Sequence, residues 1–351
     1  MLLLLLSALV ITDARVFDGE RILPRANVVV EDGIITDVGT TVKPKPGARI
    51  ISGAGRTLLP GLIDAHFHVL NPDALNAALA HGATTLIDMF NRPDVQFGPG
   101  ADVYSARVLV TAPGGHGTEY GVAIPTIRTQ DEAQSFVDAR IAEGSRFIKI
   151  ILDDGSAFNF QRPALNKATL NAVVAAAHRR HKLAVVHIAT KQDVLDALEA
   201  GADGLQHIYA GEPDAALARR IARSKVFVTP TLSVVKAHAP QALAVVRQLH
   251  NAGVSLHAGT DVPNENLAPG ASLHDELALL VQAGLTLAEA LAAATSRPAA
   301  AFGLIDRGRL GKGLRADLLL VEGDPTVNIQ ATRAIVGVWQ RGVEFTKITL
   351  D

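Results

Sequence analysis

The 351-residue sequence contains no cysteine, which excludes both a disulfide framework and a metal site built from thiolates. Aromatic residues make up only 4% of the chain, and this argues against the stacking platforms that bind single-stranded nucleic acid. The formal net charge is −2 at pH 7, so a basic surface for nucleic acid is not expected either. No apolar run reaches the roughly 20 residues that a membrane span needs. The sequence therefore predicts a globular protein with neither nucleic acid nor membrane among its partners.

The chain begins with MLLLLLSALV, a leucine-rich segment with some likeness to a secretory signal peptide. It lacks the basic residues that open such a peptide, and it continues directly into ITDARVFDG, which has the pattern of a strand and a turn. An ordered first strand and a cytoplasmic protein are therefore predicted. The alternative is an exported protein in which the leucine run is the remnant of a leader.

Both ends of the chain are rich in β-branched residues separated by turn signals. VVVEDGIITDVG near the start and ADLLLVEGDP and AIVGVWQRGVEF near the end have the pattern of short strands joined by glycine turns. The hydrophobic content of 48% supplies material for a large core. We predict a small β-sandwich domain assembled from residues 1–57 and 308–351, with residues 58–307 forming a second domain between them.

Residues 58–307 repeat one pattern, in which a helical segment ends at a glycine and a short apolar strand follows, as in LDALEAGADGLQHIY. Glycine suits the left-handed residue that ends a helix. Alternating strands and helices predict an α/β fold with a parallel sheet, and eight strands favour a closed (β/α)8 TIM barrel. An open Rossmann sheet is the weaker alternative, because no GxGxxG motif follows the first strand. The expected strands are LIDAHFHV, TTLIDMF, ARVLVTAP, FIKIIL, LAVVHIA, GLQHIY, VFVTPTL and SLHAGTD.

Several ionisable residues lie late in these otherwise apolar strands. Side chains alternate along a strand, so His66 and His68 lie on the same face. The carboxyl ends of barrel strands converge on one mouth, where active sites form. Imidazoles and a carboxylate brought together there predict a metal site, and this donor set suits Zn²⁺ or another first-row divalent ion. The candidate ligands are His66, His68, Lys149, His187, His207 and Asp261.

Lys149 is the unusual member of this set, because a protonated amine beside metal-bound imidazoles would be repelled. Charge balance, taken together with the family resemblance given below, favours a neutral lysine that has added carbon dioxide to become an anionic carbamate. The alternative is a lysine paired with the carboxylate of Asp153 or Asp154.

Candidate substrate contacts lie in loops that follow the predicted strands. The glycine-rich loop APGGHGTEYGVAIP carries His116 and Tyr120, and His274 lies in SLHDE after the eighth strand. Loops at this end of a barrel commonly hold binding residues. We predict that these three side chains contact the substrate; the alternatives are a solvated loop tip and, for His274, the start of a helix. Asp64 shares strand parity with His66 and is either a hydrogen-bond partner for a ligand imidazole or a polar residue of the core.

In chain order, PGLIDAHFH, FIKI, VVHIAT, LQHIY and AGTD resemble the metal-ligand series of the amidohydrolase superfamily. The segments APGGHG, TPTL, SLHDELALLVQAGLT and ATSRPAAAFGLIDRGRLGKGLRADLLLVEGDP are similar to its imidazolonepropionase-like, prolidase-like branch. The resemblance implies two divalent metal ions, with Zn²⁺ expected. It implies that His66, His68 and Asp261 bind the more buried ion, that His187 and His207 bind the more exposed one, and that N6-carboxylated Lys149 bridges them.

The same resemblance implies hydrolysis of a carboxamide, cyclic amide or dipeptide-like carbon–nitrogen bond in a small-molecule substrate. A metal-bridging hydroxide would attack, and Asp261 would act as general base and then as general acid. A second hypothesis keeps the site but gives it lactonase, esterase or decarboxylase activity. A third, an inactive barrel used as an interaction scaffold, is disfavoured because every expected ligand is present. A homo-oligomer is expected from the family.

Overall fold

The computed structural model describes residues 8–43 and 46–346, which adopt an α/β fold. The leucines at positions 2–6, considered above as part of a leader, lie outside the described residues. Within the described ranges, no helix combines the length and the apolar character needed to cross a membrane. The strands are β1 (Leu9–Phe17), β2 (Ile22–Glu31), β3 (Ile34–Gly39), β4 (Arg49–Ser52), β5 (Arg56–Pro60), β6 (Leu62–Phe67), β7 (Ala83–Asp88), β8 (Asp102–Ser105), β9 (Ile148–Ile151), β10 (Ala184–His187), β11 (Gly204–Gln206), β12 (Phe227–Thr229), β13 (Ser255–Leu256), β14 (Leu318–Glu322), β15 (Ile335–Gln340) and β16 (Val343–Glu344).

Strands from both ends of the chain lie in one mixed sheet of order β16-β15-β14-β5-β1-β2-β3, with β4 paired to β1. The link between the two ends is the antiparallel pairing of β14 with β5, in which Leu319 lies opposite Leu59. Strands of this sheet contribute to a hydrophobic cluster that includes the fully buried side chains of Ile11, Leu58 and Trp339. The expectation that strands from the two termini assemble together is thus confirmed.

The strands between these ends are parallel and form two sheets, β6-β7-β8 and β9 to β13. At one edge, the Ala65 amide donates to the Ala258 carbonyl over 2.8 Å, which joins β6 to the segment after β13. At the other edge, the Val110 amide donates to the Lys149 carbonyl over 2.8 Å, which joins the segment after β8 to β9. Backbone hydrogen bonds therefore connect the two sheets at both of their edges.

The third of the predicted parallel strands is displaced toward the N-terminus. Residues 106–113 were expected to form it, but β8 ends at Ser105, and within that segment only Val110 forms a bridge, with Ile150. The cause is local, because Arg107 has a φ of 56°, and a left-handed residue interrupts an extended ladder.

Helices connect the parallel strands and begin and end at the signals expected from the sequence. Thr190 and Asp193 form a reciprocal capping box at the start of one helix, and Gly201 ends the same helix with a φ of 83°. The α-helices are α1 (Asp73–Ala80), α2 (Ala133–Ala142), α3 (Lys167–Arg179), α4 (Lys191–Ala200), α5 (Ala215–Ser224), α6 (Leu232–Val235), α7 (Ala242–Asn251), α8 (Ala271–Gln282), α9 (Leu287–Ala293) and α10 (Ser296–Ala301).

Candidate metal centre

The end of β6 and the segment after β13 bring three candidate ligands together. The Asp261 Oδ1 atom lies 3.2 Å from His66 Nε2 and 2.9 Å from His68 Nε2. One ligand atom from each of these residues lies within 4.8 Å of the others, which is close enough for all three to hold one metal ion. His66 is buried, whereas His68 is partly exposed toward the cavity described below.

A buried carboxylate, Asp64, fixes the two chain segments that carry these ligands. It accepts hydrogen bonds from Thr260 Oγ1 at 2.6 Å, from the Thr260 amide at 3.0 Å and from the His66 amide at 3.2 Å. Burial raises the pKa of Asp64 to about 7, although its hydrogen bonds oppose the shift. Its contacts are therefore with the backbone and a threonine, and the imidazole of His66 has a different partner.

In three histidines the Nδ1 atom lies within hydrogen-bond distance of another protein group, which leaves the Nε2 atom as the nitrogen that can bind a metal. Such contacts orient a ligand imidazole and fix its tautomer. Gln206 and Thr231, both fully buried, were not identified from the sequence, although Gln206 directly precedes a candidate ligand in an apolar strand. The pairs are His66 Nδ1 with Gln206 Oε1 at 2.7 Å, His68 Nδ1 with the Phe90 carbonyl at 3.2 Å, and His207 Nδ1 with Thr231 Oγ1 at 2.7 Å.

His187, at the end of β10, and His207, just after β11, lie on the adjoining side of the cluster. Their ring centroids are 4.3 Å apart, and the His207 ring lies 4.8 Å from that of His66. Burial lowers the pKa of His66 to about 4 and holds the pKa values of His187 and His207 well below the ordinary value. These imidazoles are therefore neutral at pH 7, which is the form that binds metals.

Lys149 lies in β9 with its amine buried among these groups. Its Nζ atom has no hydrogen-bond partner among the described residues, and burial lowers the pKa of Lys149 to about 7. The alternative pairing with an acidic neighbour is not formed, because Asp153 lies against His116 at 3.5 Å and Asp154 accepts from the Ser156 amide at 2.9 Å. A buried, unpaired amine beside neutral imidazoles suits a group that is modified or bound in the working protein.

Asp261 is the anionic member of the cluster. Although burial favours the protonated acid, the imidazoles of His66 and His68 facing it hold the pKa of Asp261 well below its usual range. An ionised carboxylate among imidazoles, beside an amine that has no hydrogen-bond partner among the described residues, is a donor set that fits a divalent cation.

Three non-glycine residues at this centre have left-handed backbone conformations. The φ values are 66° at His207, 61° at Asp261 and 48° at Thr231. This conformation costs an L-residue roughly 1–2 kcal/mol, and such residues occur mainly where function requires them. The surrounding packing therefore holds two candidate ligands, and the residue that orients one of them, in strained positions.

Glu276 of α8 forms hydrogen bonds with the two residues that follow Thr231, and these bonds stabilise the turn that contains Thr231. This buried carboxylate accepts hydrogen bonds from the Leu232 amide at 2.9 Å, the Ser233 amide at 2.8 Å and the Ser233 hydroxyl at 2.7 Å. It thereby satisfies the amino end of α6, whose last residues, Val234 and Val235, face the cavity.

Replacing Glu276 with alanine should destabilise the protein by about 3 kcal/mol, because the buried Leu232 amide and the partly buried Ser233 amide lose their acceptor. Urea denaturation followed by circular dichroism measures this difference in the free energy of unfolding. Glu265→Ala, at an exposed glutamate, is the matched control and should stay within about 0.5 kcal/mol of the wild type. Equal stability of the two variants would contradict this role for Glu276.

A cavity of about 420 Å³ opens above the cluster, and all six candidate ligands line it. His116 and Tyr120 also line it, with the Tyr120 hydroxyl 3.3 Å from His116 Nε2. His274 does not: its Nδ1 lies 2.9 Å from Thr332 Oγ1 and its Nε2 lies 3.0 Å from the His81 carbonyl. The structure thus places His274 outside the lining of this cavity, contrary to the expectation, because both of its ring nitrogens are used in joining α8 to other parts of the fold.

Comparisons with known proteins agree with this geometry. The amidohydrolase family model matches residues 57–346. The imidazolonepropionase of Deinococcus radiodurans is 26% identical over 374 aligned residues, covering 92% of this chain and 92% of the relative. The structure of a candidate prolidase from Bifidobacterium longum is 25% identical, with a TM-score of 0.84 over 97% of this chain and 95% of that one. A prolidase complexed with N-methylphosphonate-L-proline is 21% identical, with a TM-score of 0.83 over 97% of this chain and all of the other.

The family model covers most of the chain, including all six candidate ligands and the cavity above them. The chain belongs to the amidohydrolase family and is a metal-dependent hydrolase that acts on carbon–nitrogen bonds.

Proposed function

We propose that the protein is a binuclear metal-dependent amidohydrolase that cleaves the carbon–nitrogen bond of a carboxamide, cyclic amide or dipeptide-like substrate. The observation that carries this proposal is the buried Lys149 amine, which has no partner among the described residues and lies beside four imidazoles and the Asp261 carboxylate at the floor of a cavity sized for a small molecule. The related imidazolonepropionase supports a cyclic amide, and the prolidase bound to a proline phosphonate supports a dipeptide-like one.

The residues present fit two divalent cations. His66, His68 and Asp261 would hold one, His187 and His207 the other, and N6-carboxylated Lys149 would join them; the donor set suits Zn²⁺ best. When bound, such a pair of cations lowers the pKa of water and polarises a carbonyl group.

Protein side chains would transfer the protons and donate a hydrogen bond during hydrolysis. Asp261, ionised at neutral pH, would take a proton from the attacking water and deliver it to the leaving nitrogen, acting first as base and then as acid. Burial raises the pKa of Tyr120 to about 12, so its phenol keeps its proton and can donate a hydrogen bond to the substrate carbonyl. His116, 3.3 Å from that hydroxyl, would hold the phenol in place.

The architecture proposed with this function is a (β/α)8 barrel of residues 58–307 and a β-sandwich domain of residues 1–57 and 308–351. The backbone hydrogen bonds that connect the two parallel sheets at both edges support the barrel, and the shared sheet of both termini supports the second domain. We also propose a homo-oligomer, which light scattering on the purified protein tests directly.

Removal of metal with a chelator should lower the hydrolysis of amides by at least about 100-fold, and Zn²⁺ should restore it. The test panel contains N-acyl amides, cyclic amides, Xaa-Pro dipeptides, lactones and aryl carboxylic acids. Turnover of amides by the reloaded protein supports the proposal. Turnover of lactones or acids alone would overturn it in favour of a lactonase or decarboxylase.

The lowered pKa of Lys149 sets the pH dependence of its proposed modification. Only the neutral amine adds carbon dioxide, so at fixed dissolved carbon dioxide the rate of activation of the metal-free protein should rise with pH and level off above about pH 8. If the amine had the ordinary lysine pKa of about 10.4, the rate of activation would instead continue to rise roughly tenfold per pH unit through pH 9. Activation by Zn²⁺ and bicarbonate, followed by activity, distinguishes these profiles.

A further inference from the structure

The charged side chains that line the cavity all lie at its floor. They are Lys149, Asp153 and Asp261, each of which lies beside histidines of the centre. Above them the lining is mainly apolar, with Leu70, Phe90, Ile188, Ile208, Val234 and Val235 among its residues, and Tyr120, Asn264 and histidines add uncharged polar groups. Among the described residues that line the cavity, there is no arginine, and Lys149 is the single lysine.

The mouth of the cavity carries exposed aromatic rings, which we call the aromatic rim and define as Phe158, Phe160 and His238. Phe158 and Phe160 are 41% and 42% exposed, respectively, and their rings stack with centroids 6.5 Å apart. Phe158 also meets His238 edge to face at 6.2 Å, so the rim joins the loop after β9 to the segment after α6. Large apolar surface left open at the entrance of a site commonly marks where a ligand binds.

Two arginines that closely follow lining residues in the chain, Arg92 after Phe90 and Arg162 after Phe160, already have partners. Arg162 forms an ion pair with Glu119, and its Cζ atom lies over the Phe160 ring, 4.6 Å from the centroid. Arg92 pairs with Asp94 at 2.6 Å. A carboxylate on a bound substrate would therefore enter a mainly apolar chamber whose described lining residues above the floor include no lysine or arginine, and burying an unpaired charge is costly.

We propose that this cavity selects uncharged amides with an aromatic or branched apolar group, which binds at the aromatic rim, over the same amides with a free carboxylate. The inference rests on the proposed amidohydrolase function and narrows its substrate class. Phe158 and Phe160 are the specificity-determining residues, since a flat ring can stack on theirs and bury a large apolar area.

The first experiment compares N-benzoylpyrrolidine with N-benzoylproline, which differ only in the carboxylate. We expect kcat/KM of the zinc-loaded protein to be at least about tenfold higher for the uncharged amide. A double variant, Phe158→Ala with Phe160→Ala, should raise KM for N-benzoylpyrrolidine about tenfold while kcat changes less than about twofold, since ground-state contacts are lost. Equal or better turnover of N-benzoylproline would overturn the proposal.

The matched control is Phe136→Ala. Phe136 is a partly buried phenylalanine of α2 that lies under the Arg140 guanidinium at 4.9 Å, as Phe160 lies under Arg162, but it does not line the cavity. This variant should keep the wild-type KM. An equal rise in KM for the control would show that loss of any such ring disturbs the protein, and would overturn the role of the rim.

A binding measurement separates this proposal from the proposed function. N-(phenylsulfonyl)pyrrolidine and N-(phenylsulfonyl)proline have no carboxamide bond, so calorimetry on the zinc-loaded protein tests selection without turnover. At least about tenfold tighter binding of the uncharged sulfonamide supports the inference even if no amide is hydrolysed. Equal binding of the two, or tighter binding of the proline compound, overturns it even if amides are hydrolysed.

Discussion

Lys149→Ala should lower the metal content from about two ions per chain to one or fewer, and kcat/KM for an amide by about 1,000-fold or more. The buried amine has no hydrogen-bond partner among the described residues and lies beside neutral imidazoles, so its proposed carbamate would supply anionic oxygens to both cations. Elemental analysis of protein purified with bicarbonate and without chelator measures the first effect. Steady-state kinetics measure the second.

The matched control for this prediction is Lys236→Ala. Lys236 is exposed and follows α6 near the cavity, yet it does not line it, so both metal content and kcat/KM should stay at the wild-type values. One ion per chain in both the wild type and the Lys149 variant would contradict the binuclear site. Lys149 would then have a structural or substrate-binding role, with Asp261 at a mononuclear centre.

Asp261→Asn should lower kcat by about 10³-fold, within the range found when a positioned acid or base is removed. The substitution keeps the shape of the side chain and one oxygen that can ligate a cation. It removes the charge of the wild-type carboxylate, whose Oδ1 lies 3.2 Å from His66 Nε2 and 2.9 Å from His68 Nε2. Kinetics should be compared at equal metal content, so that loss of proton transfer is distinguished from loss of a ligand.

Asp154→Asn is the control for this second prediction, because Asp154 is an exposed carboxylate on the loop after β9. It should change kcat by less than about twofold. If the Asp261 variant retains both ions and more than about a tenth of the wild-type kcat, Asp261 is not the general base, and another group of the cavity must move the proton.

The candidate ligands could be identified from the sequence because each is an ionisable residue in or just after an apolar strand. This signal is local: His187 ends β10 and His207 follows β11, as the strand patterns predicted. The assembly of strands from both termini was predictable for the same reason. Local patterns also placed the end of α4 at Gly201.

The features that the sequence could not supply depend on contacts between distant segments. Gln206 meets His66 across 140 positions, and neither residue type alone indicates the pair. His274 was wrongly expected in the cavity because its place after the eighth strand says nothing about the side of α8 on which it lies. The displacement of β8 results from one left-handed residue, Arg107, whose side chain gives no such signal.

The strained backbone at Thr231, His207 and Asp261 has an evolutionary consequence. Glycine or asparagine would relieve about 1 kcal/mol at each position, so a lineage released from selection for catalysis should drift toward those residues there first. A population evolved in the laboratory for thermal tolerance alone would be expected to lose these three side chains early. The persistence of histidine, aspartate and threonine at such positions in any descendant would therefore record continued purifying selection for activity.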